Sequence, residues 1–245
     1  RTLEKLTISN GDGRKHKNVI FIDAGFHARK WLTHTTALNI IDKLVASFEE
    51  NKQLLQDYDW VILPFGERRC AGDLENKCWG KNRESNKHGC TGTDLNRNFR
   101  HGWGKGDASS NPGERSEKSS PRFGKLRTWH IIPFDSFRFR RNLLSMGSGR
   151  EVVQAVIDDM AKANFQFPSI YKQGPLYAYE VGFPPSLAME LPDKRGTLNF
   201  EFHPSTNLIG ELVKETWIGI RAIACKFIEK YPINWNLKRT YDKYL

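Results

Sequence analysis

The chain has 245 residues, 38% of them hydrophobic, and carries 38 Lys or Arg against 28 Asp or Glu for a formal charge of +10. That length suits one large domain with its own buried core, so size demands neither a metal nor a disulfide staple. No apolar run reaches about 18 residues, which argues against a membrane-spanning helix. The residues from Arg1 onward lack the charged and apolar regions of a signal peptide, so the expectation is a cytosolic protein or a processed fragment.

In chain order, Asn18–Asp23 (NVIFID) and Asp59–Pro64 (DWVILP) are continuous apolar runs, the pattern of strands buried on both faces of a mostly parallel sheet. Between them, Ala37, Leu38, Ile41, Leu44, Val45 and Phe48 recur at helical spacing and predict a helix over Trp31–Phe48. Strand, helix and strand make a βαβ unit. From Gly66 to about Gly124 the chain is rich in Gly, Asn, Ser and charge, and it reads as a long loop system. A short strand is expected over Asn142–Met146, a helix over Arg150–Ala163, another short strand over Ser186–Leu191, and a long helix over Leu208–Tyr231 carrying Leu212, Val213, Trp217, Ile220 and Phe227. The fold class is therefore α/β: a single domain over 1–245 with a central mixed, mostly parallel sheet and helices on both faces.

The charge is uneven. Between Glu114 and Arg150 stand nine Lys or Arg against three Asp or Glu, a surplus of +6. Phe137-Arg138-Phe139-Arg140-Arg141 interleaves aromatics with cations, a pattern open to two readings: a solvated face, or a binding surface for polyanions such as heparin-like polymers or nucleic acid. The four cysteines, at 70, 78, 90 and 225, fit neither a zinc ribbon nor a dense disulfide scaffold; a Cys70–Cys78 bridge and free buried thiols both remain open.

Chemistry enters at His27, in the turn between the first strand and the first helix. In open parallel sheets the loops beyond the carboxyl ends of the strands are where ligands bind. The surrounding Ile22–Leu38 stretch, IDAGFHARKWLTHTTAL, resembles the segment in which zinc metallocarboxypeptidases of the pancreatic carboxypeptidase A/B type carry His-Ala-Arg-Glu-Trp. Three later stretches are similar to that family in the same order: GTDLNRNF at Gly92–Phe99, MELPD at Met189–Asp193 and ETWIGIRAI at Glu215–Ile223. The resemblance extends over nearly the whole chain, with the family's first helix and edge strand lacking a counterpart before Arg1.

The resemblance implies a carboxypeptidase-like fold and a site residue by residue. His27 takes the place of the first zinc ligand and Arg29 that of a subsite arginine. Lys30 stands at the second ligand position, a glutamate in the family, and Gly147, in LLSMGS, stands at the third. Neither is ligand-competent, so zinc, the family cofactor, is expected to be absent or weakly bound. Asn96 and Arg97 resemble the pair that binds a peptide's terminal carboxylate, Tyr171 the tyrosine that closes over it, and Pro175 falls at the pocket position for the terminal side chain. Glu190 matches the general base, and Gly80, in CWGKNR, replaces an arginine that polarises the scissile carbonyl. Cys90 resembles half of a family disulfide whose partner position holds Gly113.

No other histidine is expected to compensate. His34, two helical turns beyond His27, should point away from the site; His130 falls where the family has an outer helix, and His203 lies in a variable stretch. The leading reading is a diverged, metallocarboxypeptidase-like monomer, secreted as its relatives are, that recognises peptide C-termini and has lost hydrolysis. The alternatives are an active zinc carboxypeptidase and a basic polyanion-binding module.

Overall fold

A computed structural model describes residues 4–15, 17–25, 27, 29–65, 80–83, 92, 130–134, 191 and 204–230. In chain order its elements are β1 (Leu6–Ile8), β2 (Asn18–Ala24), α1 (Trp31–Val45), two single turns α2 (Phe48–Asn51) and α3 (Gln53–Gln56), β3 (Tyr58–Leu63), β4 (His130–Phe134) and α4 (Thr206–Lys230). The described strands form one sheet in the order β1-β3-β2-β4. β2 runs parallel to both β3 and β4, with Ile22 opposite Ile62 and Ile132, and β1 is antiparallel to β3. The sheet is thus mixed and mostly parallel, as the two apolar runs require.

Strand alternation explains the core. Ile20, Ile22 and Ala24 of β2 share a face with Tyr58, Trp60 and Ile62 of β3, and that face packs on Ala37, Ile40 and Leu44 of α1 and Trp217, Ile220, Ile223, Ala224 and Phe227 of α4. Each Ile, Leu or Phe side chain among them that is removed from water contributes about 1.5–3 kcal/mol. Phe21 and Val61 alternate to the opposite face and are buried there too, which is why these strands are apolar throughout instead of alternating. Two buried donors tie the layers together: Trp60 Nε1 donates to Leu54 O at 3.0 Å, and Tyr58 Oη donates to Phe227 O at 3.4 Å.

The predicted helix over Trp31–Phe48 stops at Val45. Ala46 N and Ser47 N both donate to Asp42 O, at 2.7 and 3.3 Å, and the buried Asn51 amide reaches Lys43 O and Ser47 O, each at 3.0 Å. Those bonds occupy the terminal carbonyls and turn the chain, so Phe48 starts a separate turn. The last helix, Thr206–Lys230, lies within two residues of its expected bounds. β1 has no counterpart in the sequence reading; three residues with only Ile8 buried are too short a pattern to register.

His130–Phe134 is the larger correction, a parallel neighbour of β2 instead of part of an outer helix. Pro133 hides it, since proline is tolerated at a sheet edge, where β4 stands among the described strands, but depresses any strand reading. The expected strand at 142–146 and helix at 150–163 lie outside the described residues, as does the expected strand at 186–191 except for Leu191, which is not in a strand; Cys70, Cys78 and Cys90 also lie outside them. Cys225 is a free thiol, and it is exposed, not buried.

Away from the carboxyl edge, a polar clasp holds the β1–β2 connection to the chain preceding β3. Asp12 accepts from Arg14 Nε at 2.7 Å and from Lys17 Nζ at 3.0 Å, and Arg14 also pairs with Asp57 at 3.2 Å. The Lys17 side chain is almost fully buried, and its ammonium also contacts Asn10 and the carbonyl of Leu55. Burial works against ionising Asp12, but the hydrogen bonds from Arg14, Lys17 and Asn10 outweigh it and hold the carboxyl well below the usual carboxylate range.

Candidate functional site

The site lies where the carboxyl ends of the parallel strands β2 and β3 meet the amino end of α1. β2 closes on Ala24, and Gly25 then turns the chain with φ +71°, a left-handed conformation natural to glycine. His27 is buried, with 8% of its surface exposed. Its carbonyl accepts from Lys30 N at 3.0 Å, and the Lys30 carbonyl accepts from Thr33 N at 3.1 Å and Thr33 Oγ1 at 2.6 Å. His27, Arg29 and Lys30 therefore share one hydrogen-bonded turn, with Lys30 as the residue that opens α1. No acidic residue occupies the first turn of that helix.

His34 is brought back to this turn, contrary to the expectation that it points away. Helical side chains lean toward the amino end of their helix. The His34 ring accordingly lies against Gly25, so closely that a Cβ there would fall 1.8 Å from Cε1. Nδ1 sits 3.0 Å from Pro64 O, just beyond β3, and because a carbonyl can only accept, Nδ1 carries the proton. The ring also stacks on Phe65, centroids 5.1 Å apart and planes at 25°. His34 thus couples the ends of β2 and β3 directly beneath the His27 turn. Gly25 was not singled out from the sequence, and His34 was weighed only as a metal ligand and set aside. The available signal was Pro64-Phe65 following a strand parallel to β2, which places those residues beside Gly25.

Gly80 also belongs here. A Cβ on Gly80 would stand 3.1 Å from Arg29 Nε, 3.2 Å from Cζ and 3.4 Å from Cδ, so the Arg29 side chain lies across the space a residue-80 side chain would take. Asn82 is buried, while Arg29, Lys30, Lys81 and Arg83 are all part-buried. Leu191, the residue after Glu190, packs against Leu32, Leu212 and Val213, close behind the start of α1. Asn96, Arg97, Gly147, Tyr171, Pro175 and Glu190 lie outside the described residues.

The zinc carboxypeptidase family model matches residues 1–148. The chain belongs to this family. Among curated proteins it is 27% identical over 251 residues to carboxypeptidase B of Helicoverpa zea, covering 84% of this chain and 58% of that protein. It is 26% identical over 267 residues to mast cell carboxypeptidase A of Rattus norvegicus, covering 92% and 63%. The chain therefore spans less than two thirds of the length of either relative. Its fold superimposes on bovine thrombin-activatable fibrinolysis inhibitor with a TM-score of 0.74 at 22% identity, covering 92% of this chain and 86% of that one. Carboxypeptidase A from Helicoverpa armigera gives a TM-score of 0.74 at 24% identity, covering 92% and 65%. The shared fold is a mixed α/β domain whose central sheet is flanked by helices.

The metal of this family does not fit the His27 turn. A hydrolytic zinc needs three protein lone-pair donors and an open water position. His27 can offer one. Lys30, hydrogen-bonded into the same turn, ends in an ammonium that only donates. Among the described residues no group of three His, Cys, Asp or Glu side chains could hold a metal ion. Among those same residues no helix is long and apolar enough to cross a membrane.

Proposed function

We propose that this domain recognises the C-termini of peptides and does not hydrolyse them through a tightly held zinc. The observation behind the reading is Lys30: in the turn that carries His27, a lysine, whose ammonium only donates, stands where the resemblance implies a carboxylate ligand. With no metal to acidify water, Glu190 has no activated nucleophile to generate. Binding does not share that requirement. Asn96 and Arg97 would hold the terminal carboxylate through an amide donor and a planar guanidinium fork, Tyr171 would close over it, and Pro175 would line the pocket for the terminal side chain. Arg29 and Lys30 add positive charge that favours a carboxylate ligand with or without a metal. A monomer in an extracellular setting accompanies this reading. Apart from His130–Phe134, the basic segment 115–150 lies outside the described residues, and peptide recognition, which has the His27–Arg29–Lys30 turn behind it, is preferred to polyanion binding.

The test is to load the purified protein with zinc at neutral pH, remove excess ion and measure bound metal. Release of C-terminal residues from a mixed peptide panel is then followed with and without a chelator, and affinity for free-acid and amidated peptides is measured alongside. The expected result is far less than one zinc per chain, no chelator-sensitive release, and tighter binding of the free acid. One firmly held zinc per chain with chelator-sensitive release would establish the active carboxypeptidase instead.

A further inference from the structure

The polar clasp on the β1–β2 connection holds an asparagine that precedes glycine. Asn10 Oδ1 accepts from the buried Lys17 ammonium and from Asp12 N at 3.3 Å, and Asn10 Nδ2 donates to Asp12 Oδ2 at 3.0 Å. The next residue, Gly11, is exposed, adopts φ +73°, and has nothing within 4 Å of the place a Cβ would take. No other asparagine of the chain is followed by glycine. That pairing matters chemically, because an asparagine amide is open to attack by the backbone nitrogen of the residue after it. A side chain on that residue hinders the approach, and glycine has none.

We propose that Asn10 is a site of spontaneous deamidation, restrained by the clasp until the β1–β2 connection opens. Gly11 N attacks Asn10 Cγ; the N–Cγ bond forms, the Cγ–Nδ2 bond breaks, and ammonia departs with the proton that Gly11 N gives up. Water then opens the cyclic imide. Cleavage between Cγ and Gly11 N leaves aspartate, whereas cleavage at the residue-10 main-chain carbonyl leaves isoaspartate, with the chain running through Cγ. Closing the five-membered imide requires the residue-10 side chain and backbone to come nearly coplanar, and three hydrogen bonds remove the freedom to rotate there. Two of them involve a charged partner, the stronger class. Conversion in turn loosens the clasp. Asp12 and Asp57 are balanced by Arg14 and Lys17; a third carboxylate at residue 10 leaves negative charge in excess and faces Asp12 Oδ2 where an amide donor stood. The change is irreversible, so the clasp acts as a one-way latch, apart from the His27 turn and independent of peptide recognition.

The full chain is aged at pH 8 in heavy-oxygen water, so that only product formed during ageing carries the label. It is then digested at mildly acidic pH and mapped by mass spectrometry, with enzymatic isoaspartyl methylation as a second readout. A peptide spanning residues 6–14 is the unrestrained reference. Label should enter residue 10 before any other asparagine, and about tenfold more slowly in the folded chain than in the peptide. Lys17→Met, shown to be folded by its urea transition, should approach the rate of the peptide. If that variant does not fold, wild type in urea below its unfolding transition replaces it, and the rate should climb with urea as the connection opens locally. Asn10→Asp should lower the urea midpoint at pH 7. Equal rates in the folded chain and the peptide, no acceleration in folded Lys17→Met, or a rate flat in urea up to global unfolding would overturn the restraint. No label at residue 10 in the aged chain, with or without urea, would overturn the site itself. An Asn10→Asp midpoint at or above that of wild type would overturn the loosening.

Discussion

Replacing Gly25 by Ala tests the coupling of the two strand ends on which the His27 turn rests. The new Cβ would stand 1.8 Å from His34 Cε1, 2.5 Å from Nδ1 and 2.8 Å from Nε2, an overlap relieved only by moving the ring. A non-glycine residue at φ +71° costs roughly 1–2 kcal/mol. Moving the ring breaks the bond to Pro64 O and strands a buried group, roughly 1–3 kcal/mol, and loosens the stack on Phe65, roughly 0.5–1 kcal/mol. The expected destabilisation is about 2.5–6 kcal/mol, a large fraction of the stability of an ordinary domain. Urea unfolding followed by tryptophan fluorescence reads it directly. In a His34→Ala background the overlap is gone, so the same Gly25→Ala change should cost only about 1–2 kcal/mol, the backbone share alone. A loss below about 1 kcal/mol in the single variant, or equal losses in both backgrounds, would refute the argument.

The core and the clasp make two further expectations. Ile220→Ala, at a fully buried position facing the sheet, should cost about 2–5 kcal/mol, whereas Ile218→Ala, on the exposed face of the same helix, should change stability by no more than about 0.5 kcal/mol; paired thermal melts decide between these. Asp12 titrates lower in the folded chain than in the unfolded one, so its stabilisation is complete above the unfolded pKa and is lost as pH falls from about 4 toward its folded value. Asp12→Asn should therefore lower stability at pH 6 and flatten the acid side of the stability profile, and urea midpoints at pH 6 and pH 3 that fall in parallel with wild type would contradict that sign.

Much was legible in the residues because it depends on local pattern. Two unbroken apolar runs require strands covered on both faces, and the 3–4 residue spacing of Leu212, Val213, Trp217, Ile220 and Phe227 requires a helix with one buried face. The family was legible for a related reason: its motifs are short and contiguous, so IDAGFHARK resembles the family's turn without any coordinates, and the resemblance implies a ligand position at Lys30. That position 30 carries an amine and not a carboxylate is a property of the residue, written in the chain before it folds.

Only the tertiary structure decided what depends on contacts between distant segments. His34 was expected to face away because sequence spacing alone gives no weight to the lean of helical side chains, and its partners Pro64 and Phe65 become neighbours only when β3 pairs in register with β2. The strand at His130–Phe134 depends in the same way on β2 as its template, since Pro133 depresses its local propensity. Arg29 and Gly80 are adjacent because the fold crosses them, and no local propensity records that a missing Cβ on one segment leaves space for a guanidinium from another. Periodicity and side-chain chemistry are written along the chain; room and proximity at the site arise only when separate segments pack.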